Sequence, residues 1–100
     1  MFKINWESLA EITFEDEIDF IFQKWNQSEV DKFALLVSEN LERLSKNATL
    51  GIYKSKYNCH SLVLSKQTTL YYKIIEDKSQ IDLILFWNNQ KKPADLMKLL

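Results

Sequence analysis

His60 is the only histidine of the chain; Lys54 and Lys56 precede it, Tyr71 and Tyr72 follow it, and Lys91 and Lys92 lie near the C-terminal end. An imidazole exchanges protons near neutral pH, and a phenol can pass one on. Lysines hold anionic oxygens as compact point charges. These residue types suit proton transfer beside a phosphate or a similar anion. Each also has a structural reading. His60 alternates with Leu62 and Leu64 and so shares their strand face, where packing competes with catalysis. Tyr71 and Tyr72, as neighbours in a strand, point to opposite faces, so one of them belongs to the core. Lys54 and Lys56 alternate as on a strand edge, where lysines also block unwanted pairing. Trp87, Asn88 and Asn89 suit strand-end packing and turn hydrogen bonding better than a platform for a base. Arg43 falls late in a helical stretch, where it suits the helix dipole. No Gly-rich phosphate loop, Ser-His-Asp arrangement or metal-ligand cluster is present, and no cofactor or metal is expected.

The elements that must position these groups are written in the hydrophobic spacing. Phe2 to Trp6 alternates as a short strand, and Ser8 with Glu11 forms a capping box for a first helix. In that helix Ala10, Phe14, Ile18, Ile21, Phe22 and Trp25 form the apolar stripe, and Glu11, Glu15, Asp16 and Asp19 occupy the opposite face. Asn26 and Gln27 interrupt the pattern. Ser28 and Asp31 then predict a second cap, before Val30, Phe33, Ala34, Val37, Leu41 and Leu44. After Lys46, Asn47 and the lone Gly51 loosen the chain, and the period shortens to about 2. Cys59–Ser65, Thr68–Ile75 and Gln80–Trp87 read as a three-stranded antiparallel meander. Pro93 at a first helical position and Asp95 in the first turn start a short terminal helix. The expected core is Phe14, Ile18, Ile21, Phe33, Val37, Leu41, Leu70, Leu83 and Leu85.

Composition bounds the function classes. The 100 residues are 46% hydrophobic with one Gly and one Pro, which describes one domain over residues 1–100 with little linker. With Cys59 as the only cysteine, no internal disulfide can form, and a reducing cytoplasm fits best. The stretch MFKINWESLAEI reaches acidic residues before any sustained apolar run, so neither export nor a membrane association is expected. The net charge of −1 hides an asymmetry: residues 1–50 hold five basic and ten acidic side chains, and residues 51–100 hold eight and four. The C-terminal half can attract phosphates or an acidic protein segment.

Residues 60–93, HSLVLSKQTTLYYKIIEDKSQIDLILFWNNQKKP, resemble the C-terminal half of the RelE/ParE superfamily of bacterial toxins from type II toxin–antitoxin modules. The likeness is strongest to a branch with a SKQTTL-aromatic-Tyr strand and an FWNN strand end followed by a Lys-rich turn and Pro. Trp6 at the end of the first strand and Lys24, Trp25 and Asn26 at the end of the first helix extend the resemblance over the chain. It implies an α+β fold in which an N-terminal strand and helix hairpin pack on a mainly antiparallel four-stranded sheet with a short C-terminal helix. It also implies a growth-inhibiting, plasmid-stabilization type of toxin, neutralised by a cognate antitoxin protein, with the ribosome and its mRNA or DNA gyrase as targets.

RelE-type members that cleave mRNA carry basic residues at alternate positions of the first meander strand, an arginine ahead of Leu-x-Tyr in the second, and a basic residue after the last. Here Lys91 matches the last of these. The alternating pair is either His60 with Leu62 or Ser61 with Val63, Thr69 replaces the arginine, and Met97 stands about where RelE has a helical tyrosine. The set is thin. The resemblance therefore implies first a toxin that acts by binding a macromolecular target, through Lys54, Lys56, Tyr71, Asn89, Lys91 and Lys92. A ribosome-dependent mRNA endonuclease using His60 and Lys91 with Lys54 and Lys56 is the alternative. A third reading is a degenerate, non-toxic member kept for binding or regulation.

Overall fold

The computed structural model describes residues 1–100. Its elements are β1 (Lys3–Trp6), α1 (Ser8–Lys24), α2 (Gln27–Lys46), β2 (Ile52–Lys54), β3 (Cys59–Val63), β4 (Thr68–Ile75), β5 (Gln80–Asn88) and α3 (Pro93–Leu99), with one 3-10 turn at Glu76–Lys78. The strands form one sheet in the order β1-β5-β4-β3-β2. β1 runs parallel to β5, and every other pair is antiparallel. The α+β class and the mainly antiparallel sheet agree with the sequence reading, but the strand count rises from four to five. The added strand is β2, three residues that pair Ile52, Tyr53 and Lys54 with Ser61, His60 and Cys59. Three residues are too few to show a period, so only the paired structure reveals it.

Both helix starts lie upstream of, or differ from, the expected caps. α1 has Glu7 at its N-cap with no side-chain cap bond, so Ser8 is already helical. α2 is capped by Asn26, whose side chain accepts from the Glu29 N–H at 3.0 Å. Ser28 lies inside the helix. Asn26 provides an equivalent acceptor two residues earlier, and the shorter connection brings α2 back against α1.

The helix hairpin covers one face of the sheet. Ile21, Phe33, Val37 and Leu44 meet Leu70, Tyr72, Ile81, Leu83 and Phe86 in the main core. Trp6 stacks on Phe86 at 5.4 Å between ring centroids and meets the edge of Phe14 at the same distance. Of the nine expected core residues, Ile21, Phe33, Val37, Leu70, Leu83 and Leu85 are buried, and Phe14, Ile18 and Leu41 are half-buried. Leu85 belongs to a second cluster on the other face, with Cys59, Tyr71, Trp87 and Leu96. The β4–β5 register explains this, since Tyr71 faces Leu85 and Tyr72 faces Leu83, which leaves Ile84 as an extra residue in β5. Phe22 and Trp25, placed on the core stripe by their spacing, are 54% and 49% exposed. The helix face turns away from the sheet at its last turn.

Two further sets of contacts tie down the two edges of the sheet. Beyond Leu83, β5 has lost β1 as a neighbour, and α1 runs along the vacated edge. Thr13 Oγ accepts the Phe86 N–H at 2.9 Å, and so replaces a strand partner. Toward the other edge of the sheet, Tyr72 donates to Ala48 O at 2.8 Å and accepts from Gly51 N–H at 2.9 Å. Gly51 is held so close that an added Cβ would lie 2.5 Å from Ser61 O. Glycine is required there by the approach of backbone to backbone.

Candidate functional site

The expected site residues divide between the two faces of the sheet and one of its ends. Cross-strand partners share a face, so His60 opposite Tyr72, and Leu62 opposite Leu70, lie on the helix side. Ser61 opposite Tyr71, and Val63 opposite Thr69, lie on the side that the helix hairpin leaves open and that Leu96 of α3 partly covers, so that Ser61, Tyr71 and Thr69 are buried and Val63 is exposed. The alternating pair on the open face is therefore Ser61 with Val63, neither of them basic. His60 is half-buried, stacked on Tyr72 at 5.3 Å and edge-on to Tyr53 at 5.4 Å.

Burial lowers the His60 pKa below its ordinary 6.5, so the imidazole stays neutral in the folded chain at neutral pH. The unfolded chain takes up its proton as pH falls through about 6.5, before the folded chain does, and stability is lost in that window. Above it, the group adds no pH dependence. His60→Gln should remove this part of the acid destabilisation, read as a smaller difference in urea midpoint between about pH 7.5 and about pH 5.5. An unchanged difference would show that His60 is not coupled to folding.

Lys91 follows the opposite end of β5, and its ammonium lies 5.7 Å from the Trp87 ring centroid on the open face. His60 and Lys91 are thus not brought together. Lys54 ends β2, Lys56 sits in the next turn 5.8 Å from the Tyr57 ring, and Lys92 is the N-cap of α3. All four lysines are exposed, and none is in an ion pair; the pairs formed are Lys32–Glu29, Lys46–Glu42 and Lys98–Asp95. Tyr71 is buried edge-on against Tyr57 at 5.9 Å, and burial pushes its phenol pKa up, with Tyr57 and Cys59 adding to the effect. It remains a proton donor near neutral pH. No three His, Cys, Asp or Glu side chains converge in a way that could hold a metal ion.

Asn89 is held most firmly. It accepts from Thr69 Oγ at 3.0 Å, donates to Lys66 O at 3.2 Å, and its N–H reaches Gln67 O at 2.7 Å. It thereby fixes the loop after β5 to the Ser65–Gln67 turn. Beneath them lies a residue that the sequence reading passed over. Glu17 is 3% exposed, and its carboxyl group accepts from Thr68 Oγ, from Asn88 Nδ2 at 3.1 Å and from Gln67 Nε2 at 3.4 Å. The signal was present: Glu17 falls in the stripe Ala10, Phe14, Ile21, where an acidic side chain demands buried donors. The network locks α1 to the start of β4 and to the end of β5, which Asn89 and Lys91 follow.

No protein-family model matches the sequence, and no curated protein matches it either. Solved structures do. A chain of the intact Escherichia coli RelBE toxin–antitoxin complex superposes with a TM-score of 0.62 at 11% identity, over 91% of this chain and 100% of that one. A metal-bound toxin from Helicobacter pylori gives a TM-score of 0.62 at 10% identity, over 90% of this chain and 97% of that one. The chain has the RelE-like toxin fold.

Proposed function

We propose that this RelE-like chain is the toxin of a bacterial type II toxin–antitoxin module, acting in the cytoplasm by binding a macromolecular target and held inactive by a cognate antitoxin. The observation that carries the reading is the pairing of a toxin fold along nearly the whole chain with a sheet face, away from the helix hairpin, on which Ser61 and Thr69 are buried and Val63 alone is exposed. None of those side chains can serve as acid, base or phosphate clamp in the way a basic residue does. His60 lies on the other face, so cleavage of mRNA is the less supported mechanism. Inducing the gene alone should arrest growth without new mRNA ends at ribosome-bound codons, as read by primer extension. Undiminished growth would overturn the reading, and abundant new ends would replace binding by cleavage.

The antitoxin contact follows from charge. An acidic amphipathic segment fits Lys54, Lys56, Lys91 and Lys92 at the rim, with aliphatic anchors giving most of the affinity. Rim charges act mainly on encounter. Reversing both Lys91 and Lys92 to Glu should slow association by about tenfold at low salt and leave dissociation nearly unchanged, by stopped-flow mixing. An unaltered association rate would reduce the Asn88–Pro93 turn to a polar link between strand and helix.

A further inference from the structure

Where α1 ends, a cleft of about 400 Å³ is lined by Lys24, Trp25, Lys66, Gln67, Asn89 and Gln90. Its composition differs from that of every other hollow in the molecule: two ammonium groups, one indole, three amides and no carboxylate. Neither lysine has an acidic partner within ion-pair distance. Lys24 Nζ instead lies 4.8 Å from the Trp25 ring centroid and 5.5 Å from that of Phe20. Trp25 is 49% exposed, an unusual state for the largest apolar side chain, whereas Trp87 is 6% exposed and offers no ring face to a ligand. The Gln90 side chain has no partner in the fold, and Gln67 uses only its Nε2, leaving its carbonyl oxygen free. The acidic groups nearby are Asp16 and Glu17 in the adjoining hollow beside Lys91, and Glu29, which is paired to Lys32.

The geometry points to this cleft as a binding site for a nucleotide of a single-stranded nucleic acid. An exposed indole accepts the face of an unstacked base, free amides suit a base edge, and the lysines suit the flanking phosphodiesters. A base inside a duplex has no free face to give. Lys24, Lys66 and Lys91 stand on three separate segments, which suits successive phosphates along a strand. The site is held rigid from below, since the Glu17 network and Asn89 fix both loops that supply the amides.

The test uses the full chain with fluorescein-labelled oligouridine RNA and oligothymidine DNA, each roughly ten nucleotides long, followed by anisotropy at low salt. Binding of either strand is expected, and the two probes distinguish an RNA from a DNA ligand. Trp25→Ala should weaken it by about tenfold or more and Trp25→Phe much less, because stacking needs a ring rather than an indole. Lys24→Gln with Lys66→Gln should lower the slope of log affinity against log salt by about 1 to 2, in a variant that leaves Trp25 in place. The site is refuted if neither strand binds, if binding ignores both sets of variants, or if uridine monophosphate competes as well as the strand. The outcome is separate from the toxin reading: strand binding with undiminished growth keeps this site and removes that reading, and toxicity without strand binding does the reverse.

Discussion

Glu17→Ala is expected to lower the free energy of unfolding by about 3 kcal/mol or more, in urea unfolding at neutral pH. The Thr68 hydroxyl and Asn88 amide would each lose the acceptor they donate to in a place closed to water, and an unmade buried hydrogen bond costs about 1 to 3 kcal/mol. The vacated volume adds a cavity term. Glu17→Gln keeps the shape and one acceptor oxygen, so it should be milder. The informative variant is the triple replacement Glu17→Leu, Thr68→Val, Asn88→Leu. If the network serves mainly to fix one arrangement of the strand ends, apolar side chains of similar size should restore most of the stability. A Glu17→Ala chain as stable as the parent would mean that the carboxyl group is solvated in solution.

Leu83→Ala should cost about 3 to 5 kcal/mol. Leu83 is 0% exposed, at the last of the rungs where β5 is flanked on both sides, here by Trp6 of β1 and Tyr72 of β4. Neither neighbour can collapse into the space, because Tyr72 is tied to Ala48 and Gly51 and Trp6 is wedged between Phe14 and Phe86. A small domain is typically stable by about 5 to 15 kcal/mol, so this one side chain carries a large share. Val63→Ala, at 66% exposed, should change stability by less than about 0.5 kcal/mol. Equal losses at the two positions would contradict the assignment of faces.

The elements were legible because period and propensity agree locally: the stripes of α1 and α2, the β-branched and aromatic strands, and Pro93 all mark their own positions. What escaped depended on distant partners. Glu17 interrupts an apolar stripe, and nothing within a turn of it reveals Thr68, 51 residues later, or Asn88, 71 residues later. Leu85 follows the alternation of β5 only until the extra residue Ile84 turns it to the opposite face. Trp25 matches the helical spacing of the core, yet the sheet ends before it. The candidate site was legible as residue types in Asn89 and Lys91, which lie together at one end, but not in Lys66 or Glu17, while His60 lay on the other face because the strand register alone decides which of two adjacent residues faces outward.

The closing of β5's edge by α1 also bears on synthesis. The N-terminal helix is made first, but Thr13 meets Phe86 and Glu17 meets Asn88, both near the last strand to leave the ribosome. At about 5 to 20 residues per second, the 71 residues between Glu17 and Asn88 take roughly 4 to 14 s to translate. Throughout that interval the nascent chain carries α1 with its inner stripe and its acidic side chain unmatched, open to any partner already waiting. The order of translation thus leaves a time, set by elongation speed, in which this protein exists but its fold does not.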